Sequence, residues 1–274
     1  MKLIGYEVDR VRHIGSVEGD LVTPLGTVTN FYENGCTGTS SSDGPLVLAE
    51  LKQVPPYLLT AKIFCIGMNY QAHIKEASGA VATPKEPMIF GRWESTLVVD
   101  GTPVPIPPNE DGLDWEVELA AVIGKQLFDV DAATAMGAVM GYTAFNDLSA
   151  RRKQLATAQF TLGKNPDRSG PIGPVLVTAD EINDPHNLRV RTRVNGETVQ
   201  DGNTKDMIYD IGTIIAYISD TVTINPGDII ATGTPAGVGF GMTPKRYLHD
   251  GDVVEIEVES IGVVRSPIIN RDKL

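Results

Sequence analysis

The sequence predicts a β-dominated α+β fold, with a small β-rich N-terminal domain over residues 1–58 and a larger unit over residues 59–274. Three observations carry this reading. Short strand-like runs recur along the chain, Gly and Pro punctuate them, and few segments keep apolar residues at helical spacing. At 274 residues, 42% hydrophobic and 21% charged, the chain can bury a sizeable core and is too apolar for a disordered protein.

In chain order, strands are expected at Arg12–Val17 and Leu21–Thr23, followed by a polar loop of small residues near 35–42. Pro55-Pro56 closes the first unit. Ile63–Ile66 reads as a strand, and a polar turn at Gly67-Met68-Asn69-Tyr70 leads into a short helix through Gln71–Ala77. The proline-rich stretch Pro84–Pro108 reads as irregular. Glu116–Ile123 alternates and then runs apolar, as a buried strand would, and Ala132–Ala138 reads as a helix leading to a strand at Tyr142–Phe145. Further strands follow at Val175–Thr178, Leu188–Val194, Ile229–Ala231 and Val253–Ser260. Asn195-Gly196 is a two-residue hairpin turn with Glu197–Val199 as the return strand, and Ile208–Ser219 has helical spacing.

A net charge of −12 repels phosphate backbones and anionic lipid, so neither nucleic acid nor membrane is an expected partner. No run of about 18 apolar residues offers a membrane span, and the opening MKLIGYEVDRVRHIG does not read as a signal peptide. Cys36 and Cys65 form no CxxC pair, and a reducing cytoplasm is the expected compartment.

The sharpest chemical signal is Asp114-Trp115-Glu116-Val117-Glu118, where two carboxylates stand two apart at the head of an apolar strand. On a strand such residues share a face, and two buried carboxylates side by side require a compensating cation or donors. Asp147 ends the apolar strand Tyr142–Phe145 and offers a third acid. Oxygen ligands without nearby His or Cys favour a hard cation, Mg²⁺ or Mn²⁺, although an isolated ExE is more often a solvated edge paired with Lys or Arg. His73 and Glu76, three apart on a short helix, share a face, so the carboxylate can orient the imidazole as a general base; alone, such a pair is an ordinary surface contact. If the chain is helical from Leu148, Asp147, Arg151 and Gln154 fall on one face, where Arg151 could bind a carboxylate or oxyanion and Gln154 donate. Lys164 follows Gly163 and could neutralise an enolate. The Gly-rich loop Thr232–Gly239 could cradle an anion, yet it matches neither a Walker A loop nor a dinucleotide fingerprint.

Taken in their order, these motifs resemble the fumarylacetoacetate hydrolase (FAH) family in its short bacterial type. The resemblance spans about residues 61–267 and also includes Cys65–Tyr70, Asn146–Arg151, Gly163-Lys164, Val194–Glu197, Gln200–Thr204, Pro226–Asp228 and Ala231–Pro235. It implies an FAH-like mixed β-sandwich roll, one divalent cation and a homodimer. Glu116, Glu118 and Asp147 match the metal ligands; His73, Glu76 and Lys164 match catalytic positions; Tyr70, Arg151, Gln154 and Thr234 match positions that meet the substrate. The implied substrate is a small anionic 2-oxo acid. The leading expectation is hydrolysis of the C–C bond of a 2,4-dioxo acid (an acylpyruvate) to pyruvate and a carboxylic acid. The alternative is decarboxylation of an oxaloacetate-type acid or isomerisation of a 2-hydroxy-dienoate. Arg152, Phe160 and Asn165-Pro166-Asp167-Arg168 depart from the family pattern around the expected pocket. Ala77–Glu86, with its small residues Ser78-Gly79-Ala80, is expected to close as a lid.

Overall fold

A computed structural model describes residues 1–38, 44–78 and 83–274. The polar loop at 39–42 and the Gly79-Ala80 part of the expected lid lie outside the described residues. The chain opens with strands β1 (Lys2–Val8), β2 (Val11–Glu18) and β3 (Leu21–Thr27), helix α1 (Val28–Glu33), and short strands β4 (Leu46–Val47) and β5 (Gln53–Val54). It continues through β6 (Ile63–Gly67), α2 (Gln71–Ser78), β7 (Met88–Arg92), β8 (Leu97–Val98), β9 (Val104–Ile106) and β10 (Val117–Ile123). Then come α3 (Ala132–Met136), β11 (Val139–Asn146), α4 (Arg151–Gln154), α5 (Thr161–Lys164) and β12 (Gly170–Thr178). The last third holds β13 (Arg189–Val194), β14 (Glu197–Asn203), α6 (Ile211–Ser219), β15 (Ile229–Ala231), β16 (Val253–Val258) and β17 (Gly262–Asn270).

The strands form a twelve-stranded mixed sheet, in the order β4-β3-β2-β1-β12-β11-β10-β15-β6-β7 with β5 and β8 at its side, and a five-stranded sheet, β14-β13-β16-β17-β9. This is the β-dominated α+β architecture that the sequence predicts. The hairpin β13–β14 turns at Asn195 (φ 50°) and Gly196 (φ 84°), two left-handed residues in a row, the conformation that suits a tight two-residue turn. Among the described residues no helix is long and apolar enough to cross a membrane.

β10 is buried on both faces and divides two cores. Val117, Leu119, Ala121 and Ile123 pack with Ile211, Ile214, Ile215 and Ile218 of α6 and with Val190 and Ile256 of the smaller sheet. Ala120 and Val122, on the opposite face, pack with Phe145, Ile172, Leu176 and the N-terminal Leu3, Ile14, Phe31 and Tyr57. Residues 1–58, read from the sequence as a unit of their own, therefore continue the larger sheet through β1 and β12 and share its core.

The stretch Pro84–Pro108 is not irregular. Met88–Arg92 contains no proline and pairs along its whole length with β6, at the edge of the sheet. Pro105 sits in β9, itself an outermost strand, where a residue without an N–H is tolerated.

Candidate metal centre and active site

The β10–β11 pairing assembles the acids. Val117 lies opposite Asn146 and Glu118 opposite Phe145, while the Asp147 N–H donates to the Glu116 carbonyl at 3.0 Å. The Asn146 side-chain oxygen accepts the Glu116 N–H at 3.1 Å, fixing the backbone just before β10. Glu116, Glu118 and Asp147 are all buried, and each offers a carboxylate oxygen within 4.8 Å of the others.

Three cations converge on this cluster. Lys164 Nζ bonds Glu116 Oε2 at 2.7 Å and Asp147 Oδ2 at 2.6 Å. Arg151 Nη2 meets Glu116 Oε1 at 2.6 Å, and Arg92 pairs with the other oxygen of Asp147 and donates to the Ser169 hydroxyl. Burial alone would raise the Glu116 carboxyl, but Lys164 and then Arg151 outweigh it and hold the group at about 2. Burial likewise opposes charge on Lys164, and Asp147 and Glu116 overcome it, keeping the ammonium protonated. Glu118 differs. It accepts the Gly233 N–H at 2.9 Å and has no ion pair among the described residues; burial, Asp147 and Glu116 all push its carboxyl well up. Three clustered oxygen donors, one of them uncompensated, suit a hard divalent cation, so the site fits the group its sequence implies.

Arg151 is set by Asp114, a fully buried carboxylate just upstream of Glu116. Asp114 Oδ2 accepts from Arg151 Nε at 2.8 Å and lies 2.7 Å from its Nη2, while Arg151 Nη1 donates to Gln154 Oε1 at 2.7 Å. The helix begins at Arg151 rather than Leu148, because Ser149 pairs with Asp114 in an extended bridge. Arg151 and Gln154 thus share a helical face without Asp147, which Lys164 and Arg92 tie to the cluster instead. α5 reaches the site because Gly163 lies against Gln154: a Cβ there would stand 2.3–2.4 Å from Gln154 atoms.

His73, also buried, lies on α2 with Nδ1 3.5 Å from Glu76 Oε2. Both Glu76 oxygens accept the Gly237 N–H at 3.1 Å, so the Gly-rich loop after β15 holds the carboxylate that faces the imidazole. His73, Glu116, Arg151, Gln154, Lys164 and Thr234 line one cavity of about 110 Å³, closed by Phe90, Phe160, Leu155 and Phe240. Thr234 is fixed there by a 2.9 Å bond from Gln200 Nε2. Tyr70 is not part of that wall. Its backbone bridges to Met207 and its ring is buried, with burial and then Glu118 pushing the hydroxyl up.

Arg92, Asn146 and Phe240 have no role in the sequence motifs, and Asp114 enters them only as a neighbour of Glu116. Asp114 and Asn146 carried a signal in their adjacency to Glu116 and Asp147. Arg92 carried none, since its contact spans 55 residues and starts in the proline-rich stretch.

Residues 62–269 match the family model described as fumarylacetoacetate (FAA) hydrolase C-terminal. Mitochondrial oxaloacetate tautomerase FAHD2A of Homo sapiens is 42% identical, with 89% of this chain and 80% of that protein covered. Fumarylacetoacetate hydrolase EaFAH of Exiguobacterium antarcticum matches with a TM-score of 0.86 and 36% identity, covering 99% of this chain and 100% of that one. The 2-hydroxyhepta-2,4-diene-1,7-dioate isomerase of Mycobacterium marinum matches with a TM-score of 0.81 and 34% identity, covering 99% of each chain.

Proposed function

The chain belongs to the fumarylacetoacetate hydrolase family, and from that premise we propose that it is a divalent-cation-dependent enzyme interconverting the keto and enol forms of a 2-oxo dicarboxylic acid of the oxaloacetate type. The observation that carries this reading is the convergence of the acid cluster, the His73–Glu76 pair and the Arg151 and Lys164 cations on one small cavity. The FAHD2A relative named for oxaloacetate tautomerisation supports the choice of reaction.

Keto–enol exchange needs a base for the carbon next to the 2-oxo group and a site that tolerates negative charge on the oxygen. With Nδ1 toward Glu76, His73 would take the proton from C3 through Nε2 and return it to the enol oxygen. Lys164 and Arg151 stay cationic and offset the charge that develops on that oxygen. Gln154 adds a neutral amide to the same wall. A divalent cation held by Glu116, Glu118 and Asp147 would supply Lewis acidity toward the 2-oxo acid.

A second reading, C–C hydrolysis of an acylpyruvate, is favoured by the same carboxylate-oriented imidazole, which could equally deprotonate a water. One experiment separates them. With Mg²⁺ or Mn²⁺ the protein is expected to accelerate loss of the enol ultraviolet absorbance of oxaloacetate without releasing pyruvate, and EDTA is expected to abolish this. If acylpyruvates instead yield pyruvate plus a carboxylic acid while the enol decays at its spontaneous rate, hydrolysis replaces tautomerisation.

A further inference from the structure

Two cavities meet at one aromatic ring. The inner one, of about 110 Å³, is the site described above, and an outer one of about 170 Å³ lies beside it among Glu110, Arg152, Lys245 and Tyr247. Arg151, Leu155 and Phe240 line both, so these three side chains form the partition. Arg151 is committed to Asp114 and Glu116, and Leu155 is 55% exposed, which leaves Phe240 as the bulky wall that the fold itself positions.

That positioning has three sources. The Phe240 N–H donates to Asp114 Oδ2 at 2.9 Å, and the neighbouring Gly239 N–H donates to Oδ1 at 2.7 Å. Gly239 is seated so closely that a Cβ would lie 1.8 Å from the Arg246 carbonyl oxygen, and the Arg246 N–H closes the contact at 3.1 Å from the Gly239 oxygen. The ring has two cations near it, Arg151 Cζ at 5.7 Å and Lys245 Nζ at 3.8 Å from its centroid, contacts that favour the present ring position. A ring held by backbone and by charge does not adapt freely to a longer ligand.

We propose that Phe240 sets the chain length of the substrate. It confines the inner cavity to short 2-oxo acids and separates it from an outer subsite where Lys245 would receive the distal carboxylate of a longer 2-oxo dicarboxylate, Arg152 being paired there with Glu110 at 3.6 Å beside a second acid, Asp111. The inference rests on the 2-oxo acid reading of the inner cavity.

The test is calorimetric titration with Mg²⁺ and oxalate, a chelating acid too short to reach the partition, followed by displacement with 2-oxo dicarboxylates of increasing length. Wild-type affinity is expected to fall as the chain lengthens. Phe240→Ala is expected to bind oxalate within about threefold of wild type and the longest acids at least about tenfold tighter than wild type does, the size of effect that added methylenes have in a pocket. Phe240→Leu, a milder change that keeps an apolar side chain at the partition, is expected to fall between. Lys245→Met in the Phe240→Ala background is expected to remove the gain for dicarboxylates. An unchanged length ranking in both Phe240 variants, with oxalate still bound, overturns the inference alone. Failure of oxalate to bind the wild-type protein with Mg²⁺ overturns the 2-oxo acid reading and the inference with it.

Discussion

Lys164 sits with its ammonium between Glu116 and Asp147, while Glu118 faces a backbone N–H and no cation among the described residues. The acids Asp114, Glu116, Glu118 and Asp147 thus outnumber Arg92, Arg151 and Lys164 by one, and Glu118, the acid without an ion pair among the described residues, lies where a divalent ion would be held. His73 stands apart from that balance, tied to Glu76 and through it to Gly237. Removing the imidazole should therefore separate chemistry from binding. His73→Ala is expected to lower the turnover number for enol-oxaloacetate by about 10²–10⁴-fold, the usual contribution of a positioned base, while oxalate with Mg²⁺ binds as before. Steady-state kinetics together with calorimetry check this; unchanged turnover would remove His73 from the reaction. The pairing of Glu116 with Glu118 is legible in the sequence because a strand repeats every two residues. Arg92 is not legible, because nothing local links residue 92 to residue 147.

In the smaller sheet, register decides which charges meet. Arg191 lies opposite Glu257, Arg193 opposite Glu255, and Glu255 opposite Arg265, giving a ladder across β13, β16 and β17. The bond from Arg265 leads those that hold the Glu255 carboxyl below its ordinary value, and the bond from Arg193 does so for Glu257. A carboxyl depressed on folding adds stability that is complete above its unfolded value of 4.5 and is lost as pH falls through the lower folded value. Glu255→Gln with Glu257→Gln is expected to flatten the pH dependence of the melting temperature below about pH 4.5, without moving its slope near neutrality. An acid limb equally steep in the variant would locate the acid sensitivity elsewhere. Arg alternates in β13 and Glu in β16, but which Arg faces which Glu follows from the β13–β16 pairing.

At the scale of the whole molecule, the N-terminal strands complete the larger sheet. β1 pairs with β12, and Leu3, Ile14, Phe31 and Tyr57 cover the face of β10 that carries Ala120 and Val122. Glu118 is on that same alternate set of β10 positions and Glu116 lies just before the strand, so the segment that reads as an appendage shields the strand that carries Glu118. A chain of residues 59–274 is expected to expose Ile172, Leu176 and the free edge of β12, and to be recovered aggregated or without a cooperative thermal transition. Circular dichroism melting and size-exclusion chromatography check this. A folded, monodisperse truncated protein would show that residues 1–58 are dispensable.

By itself the sequence determined the strand-dominated class, the positions of β10 and β15, the hairpin at Asn195-Gly196, and the acids and the His–Glu pair of the candidate site. These rest on periodicity, turn residues and charge placed in apolar runs, which act over a few neighbouring positions. Tertiary structure alone decided that Arg92 and Lys164 share Asp147, that Asp114 aims Arg151, and that Phe240 lines two cavities. Each of these joins segments tens of residues apart, and such contacts are set by how sheets pair and pack, a property that no short window of sequence contains.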